Sequence, residues 1–396
     1  MKSKLFLDVH AIQTVSPANI NRDDTGSPKT AQYGGVTRAR VSSQSWKRAM
    51  RMEFPEELKG VRTKRFNELC VDYLESSDEI DKLSFKNAMM LLMDIAGFSV
   101  SEKDGEAIAN ALFFYSKKQI QNLLNYYFEN KDLITKLTLK YITELEEVKT
   151  SKKKDLKKFR TFTKEEKEQS NLIKGEICNI LANDSSVDIC LFGRMLAGKK
   201  DLLVDASSQV AHAISTHAIE SEFDFFTAVD DLAPEDNPGA GMLGTVEYNS
   251  STLYRYANIA VHELYKQLGD KENAREASEV FTRTFIKSMP TGKINSFANQ
   301  TLPSAIVLTL RSDRPVNMVS AFEEPVKSNE GYVKKSVQKL FDEYSLYDNM
   351  LEKPIYTAYY TFKDYGVADI GKKENSIDDL INNLGAELNV ALDKIK

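Results

Sequence analysis

The chain has 396 residues, 42% hydrophobic and 28% charged, which is enough apolar material for a packed core and, by length, for two or three domains. No run approaches ~18 apolar residues, so no membrane span is expected; Lys2 and Lys4 lead into "LFLDVHAIQTV", where Asp8 and His10 interrupt a run too short for a signal peptide. Three dispersed cysteines (Cys70, Cys178, Cys190) and four histidines exclude a disulfide framework and a histidine metal cluster, so a cytoplasmic chain without metal or cofactor is expected.

The first predicted element is "KLFLDVHAIQTV", where Phe6, Asp8 and His10 alternate with Leu5, Leu7 and Val9 as in a half-buried strand. "SPANINRDDTGSPKTAQYGG" is loop by its Ser, Pro, Asn, Asp and Gly content. "GGVTRARVSS" then reads as a second strand with Arg38 and Arg40 on one face. Ser42 or Ser43 caps a helix in which Trp46, Met50 and Phe54 recur at i, i+4 and i+8 and face the core, while Lys47 and Arg51 share the next face with Arg48 adjacent. The net charge of the whole chain is −5, yet the window Ser16–Arg51 carries Arg22, Lys29, Arg38, Arg40, Lys47, Arg48 and Arg51 against only Asp23 and Asp24. A local basic stripe on an acidic chain, next to a serine-capped helix N-terminus, is the pattern of a polyanion site.

From about Glu56 to Ser170 the sequence lacks strand alternation and has helical spacing, as in "FNELCVDYL" and "IQNLLNYYF". "SSVDICLFGRM" is expected to be a strand, because Val187, Ile189 and Leu191 alternate with Asp188 and Cys190. His212 and His217, five apart, fall on opposite faces of a strand and about 140° apart on a helix, unsuited to one metal. "DDLAPEDNPGAGMLG" is a turn-rich projection, followed by strand material in "TVEYNSSTLYRYANIAV". "SAIVLTLRS" is a buried strand, and "KENAREASEVFTRTFIKSM" and "GYVKKSVQKLFDEYSL" are amphipathic helices, which together indicate an α+β domain.

"INRDD" at Ile20–Asp24, the pair Gly34–Gly35 and "RARVSSQSWKRAMR" at Arg38–Arg51 resemble the N-terminal signature of the CasC-type (Cse family) crRNA-binding backbone subunit of type I-E CRISPR Cascade. The resemblance continues through "GRM" (Gly193–Met195), "VAHAISTHAIESEFDFFTAVDDL" (Val210–Leu232), "LGT" (Leu243–Thr245), "LYRYANI" (Leu253–Ile259) and "SAFEEPVK" (Ser320–Lys327). It implies a modified RRM-like (ferredoxin-like) palm over 1–54 and 184–396, a thumb β-hairpin within about 206–246, and a helical fingers insertion over 55–183.

The implied function is sequence-independent binding of CRISPR guide RNA by a repeated, noncatalytic subunit. A variable guide must be held by phosphates and sugars, leaving its bases free to pair with target DNA. Partners implied are the guide RNA, further copies of the chain, other Cascade subunits and the target strand. Arg22, Lys29, Arg38, Arg40, Lys47, Arg48 and Arg51 are the expected phosphate contacts, with Ser42, Ser43, Gln44 and Ser45 donating at the helix start. Arg194 and Met195 in "FGRM", Lys293 in "PTGKINSFANQ", and Phe225 and Phe226 as thumb wedges complete the candidate set.

Other features carry less. The basic run Lys149–Arg160 suits either a solvated surface or a contact to target DNA, and Asp230–Asp231 suit a turn better than acid/base chemistry. Val36 stands where some relatives have a basic residue after the glycine pair. The alternative is a guide-processing endoribonuclease, against which stand the lack of any histidine beyond His262 and of a "GxGxxxxxGxG" loop. A generic RRM lacks support because its aromatic signature is missing.

Overall fold

The computed structural model describes residues 4–395 apart from 75–80, 99, 104–105, 110–111, 151–158, 160, 197–198, 230, 232–239 and 348–349. Asp230 and nearly all of the basic run at 149–160 therefore lie outside the described residues. The chain divides into two units, Met1–Phe54 with Ser207–Lys396, and Pro55–Ala206.

The first unit is built on a ten-stranded, mostly antiparallel sheet. Its central strand is β1 (Phe6–Ala18), flanked by Ala240–Ala260 and Pro303–Arg311, with Phe6 opposite both Ala260 and Arg311. β1 is buried on both faces, not half-buried as the alternation suggested: Asp8 and His10 are each 1% exposed. Helix Val333–Tyr347 covers one face, packing Val337, Leu340 and Phe341 against Ile12, Tyr254, Val307 and Tyr359. Neighbours along a strand point to opposite faces, so Arg255 turns the other way, toward helix Lys271–Lys287. The expected strand at "SAIVLTLRS" and the two C-terminal amphipathic helices are present.

At one edge of the sheet β2 (Thr30–Tyr33) and β3 (Val36–Val41) form a hairpin in which Tyr33 pairs with Val36. Gly34 and Gly35 make its two-residue turn with φ of +60° and +75°, the conformation of a type I′ turn that glycine adopts without strain. β3 runs directly into α1 (Ser43–Met52). Glu222–Val229 pairs with the outer half of Ala240–Ala260 as a hairpin, Phe223 opposite Glu247 and Phe225 opposite Thr245.

The second unit is mainly helical, with Lys82–Ile95, Lys117–Glu129, Lys131–Thr150 and Lys164–Ala182 enclosing a core that includes Phe85, Met89, Leu92, Leu123, Ile134 and Ile177. Two small ladders, Val61–Thr63 with Phe113–Tyr115 and Val100–Lys103 with Glu106–Ala109, interrupt the helices where no strand was expected. "SSVDICLFGRM" is also corrected: Val187–Phe192 is a helix, and the unit continues to Ala206 instead of returning to the sheet at 184. All of Val187–Leu191 is buried, so the alternation of residue types there does not reflect alternating exposure. Asp188 tolerates that burial by accepting hydrogen bonds from the Gly60 N–H (2.9 Å) and the Ser186 hydroxyl.

Candidate nucleic-acid interface

The basic edge is organised around the start of α1. Ser42 is the N-cap, its hydroxyl accepting from the Ser45 N–H at 3.3 Å, as the sequence suggested. Trp46, Met50 and Phe54 are buried beneath the helix, which leaves Lys47 half-buried and Arg48 exposed on its outer side. Burial pushes the Lys47 ammonium below its ordinary pKa. Arg51, in the last turn, is half-buried and complements the helix dipole.

Two of the amides expected to greet an anion are already occupied. The Ser42 N–H donates to Asn21 Oδ1 at 2.8 Å, and the Ser43 N–H donates to His212 Nδ1 at 2.9 Å. Ser42 itself is only 7% exposed and caps the helix instead of facing a ligand. Gln44 is exposed, and Ser43 and Ser45 are half-buried, so these three present their side chains at the helix start.

Accepting from Ser43 requires an unprotonated Nδ1, so His212 is held neutral with its proton on Nε2. Its pKa is lowered by burial first, then by the positive charges of Arg40 and Lys29. Arg40 is half-buried and steadied by donating from Nε to the Thr30 carbonyl at 3.0 Å. Lys29, Arg40, His212 and the start of α1 thus form one continuous basic edge.

Beside it the loop between β1 and β2 forms one wall of an open groove of about 790 Å³, lined in part by Arg22, Ser45, Arg48, Met52 and Pro290. Neither Arg22 nor Arg48 is paired with a carboxylate among the described residues. Asp23, Asp24 and Glu53 also line the groove. Asp23 is exposed, but its carboxylate is engaged by its own loop: it accepts from the Thr25 N–H (2.9 Å), the Thr25 hydroxyl (2.7 Å) and the Ser27 N–H (3.0 Å). The Thr25 hydroxyl leads in holding its pKa below the usual carboxylate value. Lys293 follows the groove residue Gly292 and starts the short helix Ile294–Phe297 in a left-handed conformation (φ +53°).

Two expected RNA contacts are corrected. Arg38 shares a face of β3 with Arg40 but is 0% exposed, donating to the carbonyls of Tyr33 (3.0 Å), Ser215 (2.9 Å) and Phe322 (2.8 Å). Arg194, in the second unit, is 4% exposed and donates to the carbonyls of Leu202, Phe114 and Leu181, its guanidinium 4.7 Å from the Phe113 ring centroid. Both guanidiniums tie separate segments of the chain together through backbone carbonyls and are buried away from a phosphate. Met195, next to Arg194, is 86% exposed, as a wedge requires.

The hairpin carries apolar side chains on both faces. Phe223 (67% exposed), Phe225 (66%) and Leu243 (63%) are on one; Phe226 (37%), lying over Gly244, and Met242 (59%) are on the other. Core packing does not account for Phe225. Phe223, Met242 and Leu243 were missed from sequence, although the i, i+2 spacing of Phe223 and Phe225 announces them. His212, Asn19 and Asn21 were missed because their roles arise from partners distant in the chain. Among the described residues no group of acidic, histidine or cysteine side chains is placed to hold a metal.

The fold is similar to a solved chain of an assembly described as "CRISPR RNA-guided surveillance complex, pre-nicking", with a TM-score of 0.78 and 30% identity, covering 97% of this chain and 100% of that one. A second chain, from a "CRISPR RNA-guided surveillance complex", has a TM-score of 0.59 and 28% identity, covering 96% of this chain and 98% of that one. A comparison with curated proteins found no match. No helix among the described residues is long and apolar enough to cross a membrane. The family described as CT1975-like protein matches residues 7–383, nearly the whole chain, and the protein belongs to that family.

Proposed function

We propose that the chain is a noncatalytic, CasC-type backbone subunit of a type I-E Cascade-like surveillance complex, and that its basic edge holds the phosphates of the CRISPR guide RNA in several copies along one RNA. The observation that carries this reading is the edge formed by Lys29, Arg40 and neutral His212 beside α1, where only positive charges act on the histidine. An anion relieves such an edge, and an edge of point charges is blind to base identity. The strand order, with β1 between Pro303–Arg311 and Ala240–Ala260, suits an RRM-like palm with the hairpin as thumb. On this reading Phe225, Phe226 and Met195 press between bases, and the exposed bases pair with target DNA in the cytoplasm.

The test is co-expression with a CRISPR array, in which the chain should copurify with guide RNA in several copies. Lys47→Ala with Arg48→Ala should lower affinity about tenfold for every spacer and reduce the slope of log K against log salt by about 1.4, the value for two lost single-strand phosphate contacts. An unchanged slope, or a loss confined to one spacer, contradicts phosphate binding by α1. Cleavage of precursor RNA by the purified chain overturns the noncatalytic part and favours the endoribonuclease alternative.

A further inference from the structure

The segment Asn19–Arg22 is held from three sides. Asn19 is 1% exposed, and its Nδ2 donates to the carbonyl of Gly26 at 3.0 Å and to that of Glu247 at 2.8 Å. Gly26 belongs to the far limb of the basic loop, and Glu247 pairs with Phe223 at the root of the apolar hairpin. The two carbonyls dictate which end of the carboxamide is nitrogen. They leave Oδ1 buried without a donor among the described residues. Asn21 ties the same segment to α1 through the Ser42 N–H and takes the Lys29 N–H on its backbone carbonyl at 2.9 Å. On the third side Gly292 admits the chain, because a Cβ there would lie 2.3 Å from the Ile20 carbonyl oxygen.

An apolar side chain at position 19 would remove the orphaned Oδ1 but take the donor from two backbone carbonyls, so the carboxamide is kept for what its nitrogen joins. It does one thing an apolar side chain cannot: it joins two backbone carbonyls of different elements. Arg22 stands on the loop so held, opposite Pro28 across an isolated bridge.

We propose that Asn19 is a positioning residue that couples the apolar hairpin to the phosphate-binding loop, so that seating of the hairpin and placement of Arg22 are one event. This rests on the RNA-binding reading above. It assigns to an uncharged side chain a share of the affinity, exerted through the placement of Arg22 and of the hairpin.

The experiment uses the full chain, labelled single-stranded RNA and a temperature at which every variant is folded. Asn19→Ala should weaken binding about tenfold and lower the salt slope by about 0.7, because the one phosphate contact that Arg22 makes is lost with its placement. Asn19→Ser, which keeps one donor, should restore part of the affinity. Arg22→Ala should cost about fivefold in the parent and less than about twofold in Asn19→Ala, the nonadditivity expected of coupled groups. Parental affinity for Asn19→Ala, or an equal cost of Arg22→Ala in both backgrounds, overturns the proposal. Hydrogen exchange without RNA tests it separately: Asn19→Ala should accelerate the amides of 22–27 and of 222–229 together, and acceleration of only one set overturns the coupling. RNA that fails to bind the parent sinks the functional reading, while the exchange result still decides whether Asn19 couples the two elements.

Discussion

Trp46→Ala is expected to cost about 3–5 kcal/mol of stability, the range for emptying a buried indole site, and with it the orientation of α1. The indole is 1% exposed and forms one side of a cation–π sandwich. The Arg255 guanidinium lies 3.6 Å from the Trp46 ring centroid and 4.4 Å from that of Phe285. Arg255 is itself 1% exposed, and burial lowers its pKa to about 9. It donates to Gln13 Oε1 and to the Phe285 carbonyl, one of the last carbonyls of helix Lys271–Lys287, where a cation is favoured by the helix dipole. With the indole removed, the guanidinium keeps its burial and loses one of its two π faces. Trp46→Phe is the control: Trp46 Nε1 has no hydrogen-bond partner among the described residues, so a phenyl ring keeps a π face and leaves no polar group behind. Chemical denaturation should rank the parent above Trp46→Phe and both well above Trp46→Ala. Equal losses for the two variants contradict both accounts, since a phenyl ring keeps a π face and most of the volume. RNA affinity should follow the same order, since Lys47 and Arg48 ride on the helix that Trp46 seats.

Why α1 was legible in the sequence and Arg38 was not has a physical reason. The helix is specified locally: Ser42 caps it, Trp46 and Met50 recur at the helical period, and the basic residues fall on the remaining face. Arg38 and Arg40 look equivalent by the period-two rule. They are separated by carbonyls at Phe322 and Glu323, some 284 residues away, which wrap Arg38 and leave Arg40 at the edge. The same holds for Arg194, whose acceptors come from three separate elements, the end of helix Lys164–Ala182, the strand Phe113–Tyr115 and the short helix Lys200–Leu202. Val187–Phe192 misled because its residue types alternate with period two while the segment is buried nearly throughout, so the alternation does not report exposure. His212 was judged only as a metal ligand, while its structural work is to take one amide at the start of α1. Charge density along the chain located the basic edge; tertiary carbonyls decided which charges reach its surface.

The same distinction, between a charge that reaches solvent and one that does not, gives β1 an expected pH signature. Burial pushes the Asp8 carboxyl up to about 7, opposed by hydrogen bonds from the Tyr256 hydroxyl (2.7 Å) and the Val316 N–H (3.1 Å) and by the charge of Arg311, whose own partner is Asp313. Two residues along the strand, burial lowers the His10 imidazole to about 3. The signs are opposite. Between pH 4 and 7 the folded chain holds a proton on Asp8 that the unfolded chain has released, so this group's contribution falls as pH rises. Between pH 3 and 6.5 the unfolded chain protonates His10 and the folded chain does not, so that contribution falls as pH drops. Over their common window the two nearly cancel, and the parent should show little net dependence from this strand. Asp8→Asn removes one side of the balance. Its stability relative to the parent should rise by about 3–4 kcal/mol from pH 4 to pH 8, at 1.36 kcal/mol per unit of pKa displacement. Urea denaturation of both proteins across that range reads the difference directly, and groups common to both drop out of it. A difference that stays constant with pH means that Asp8 is ionised in the folded chain at pH 4, with the Tyr256 and Val316 hydrogen bonds outweighing its burial.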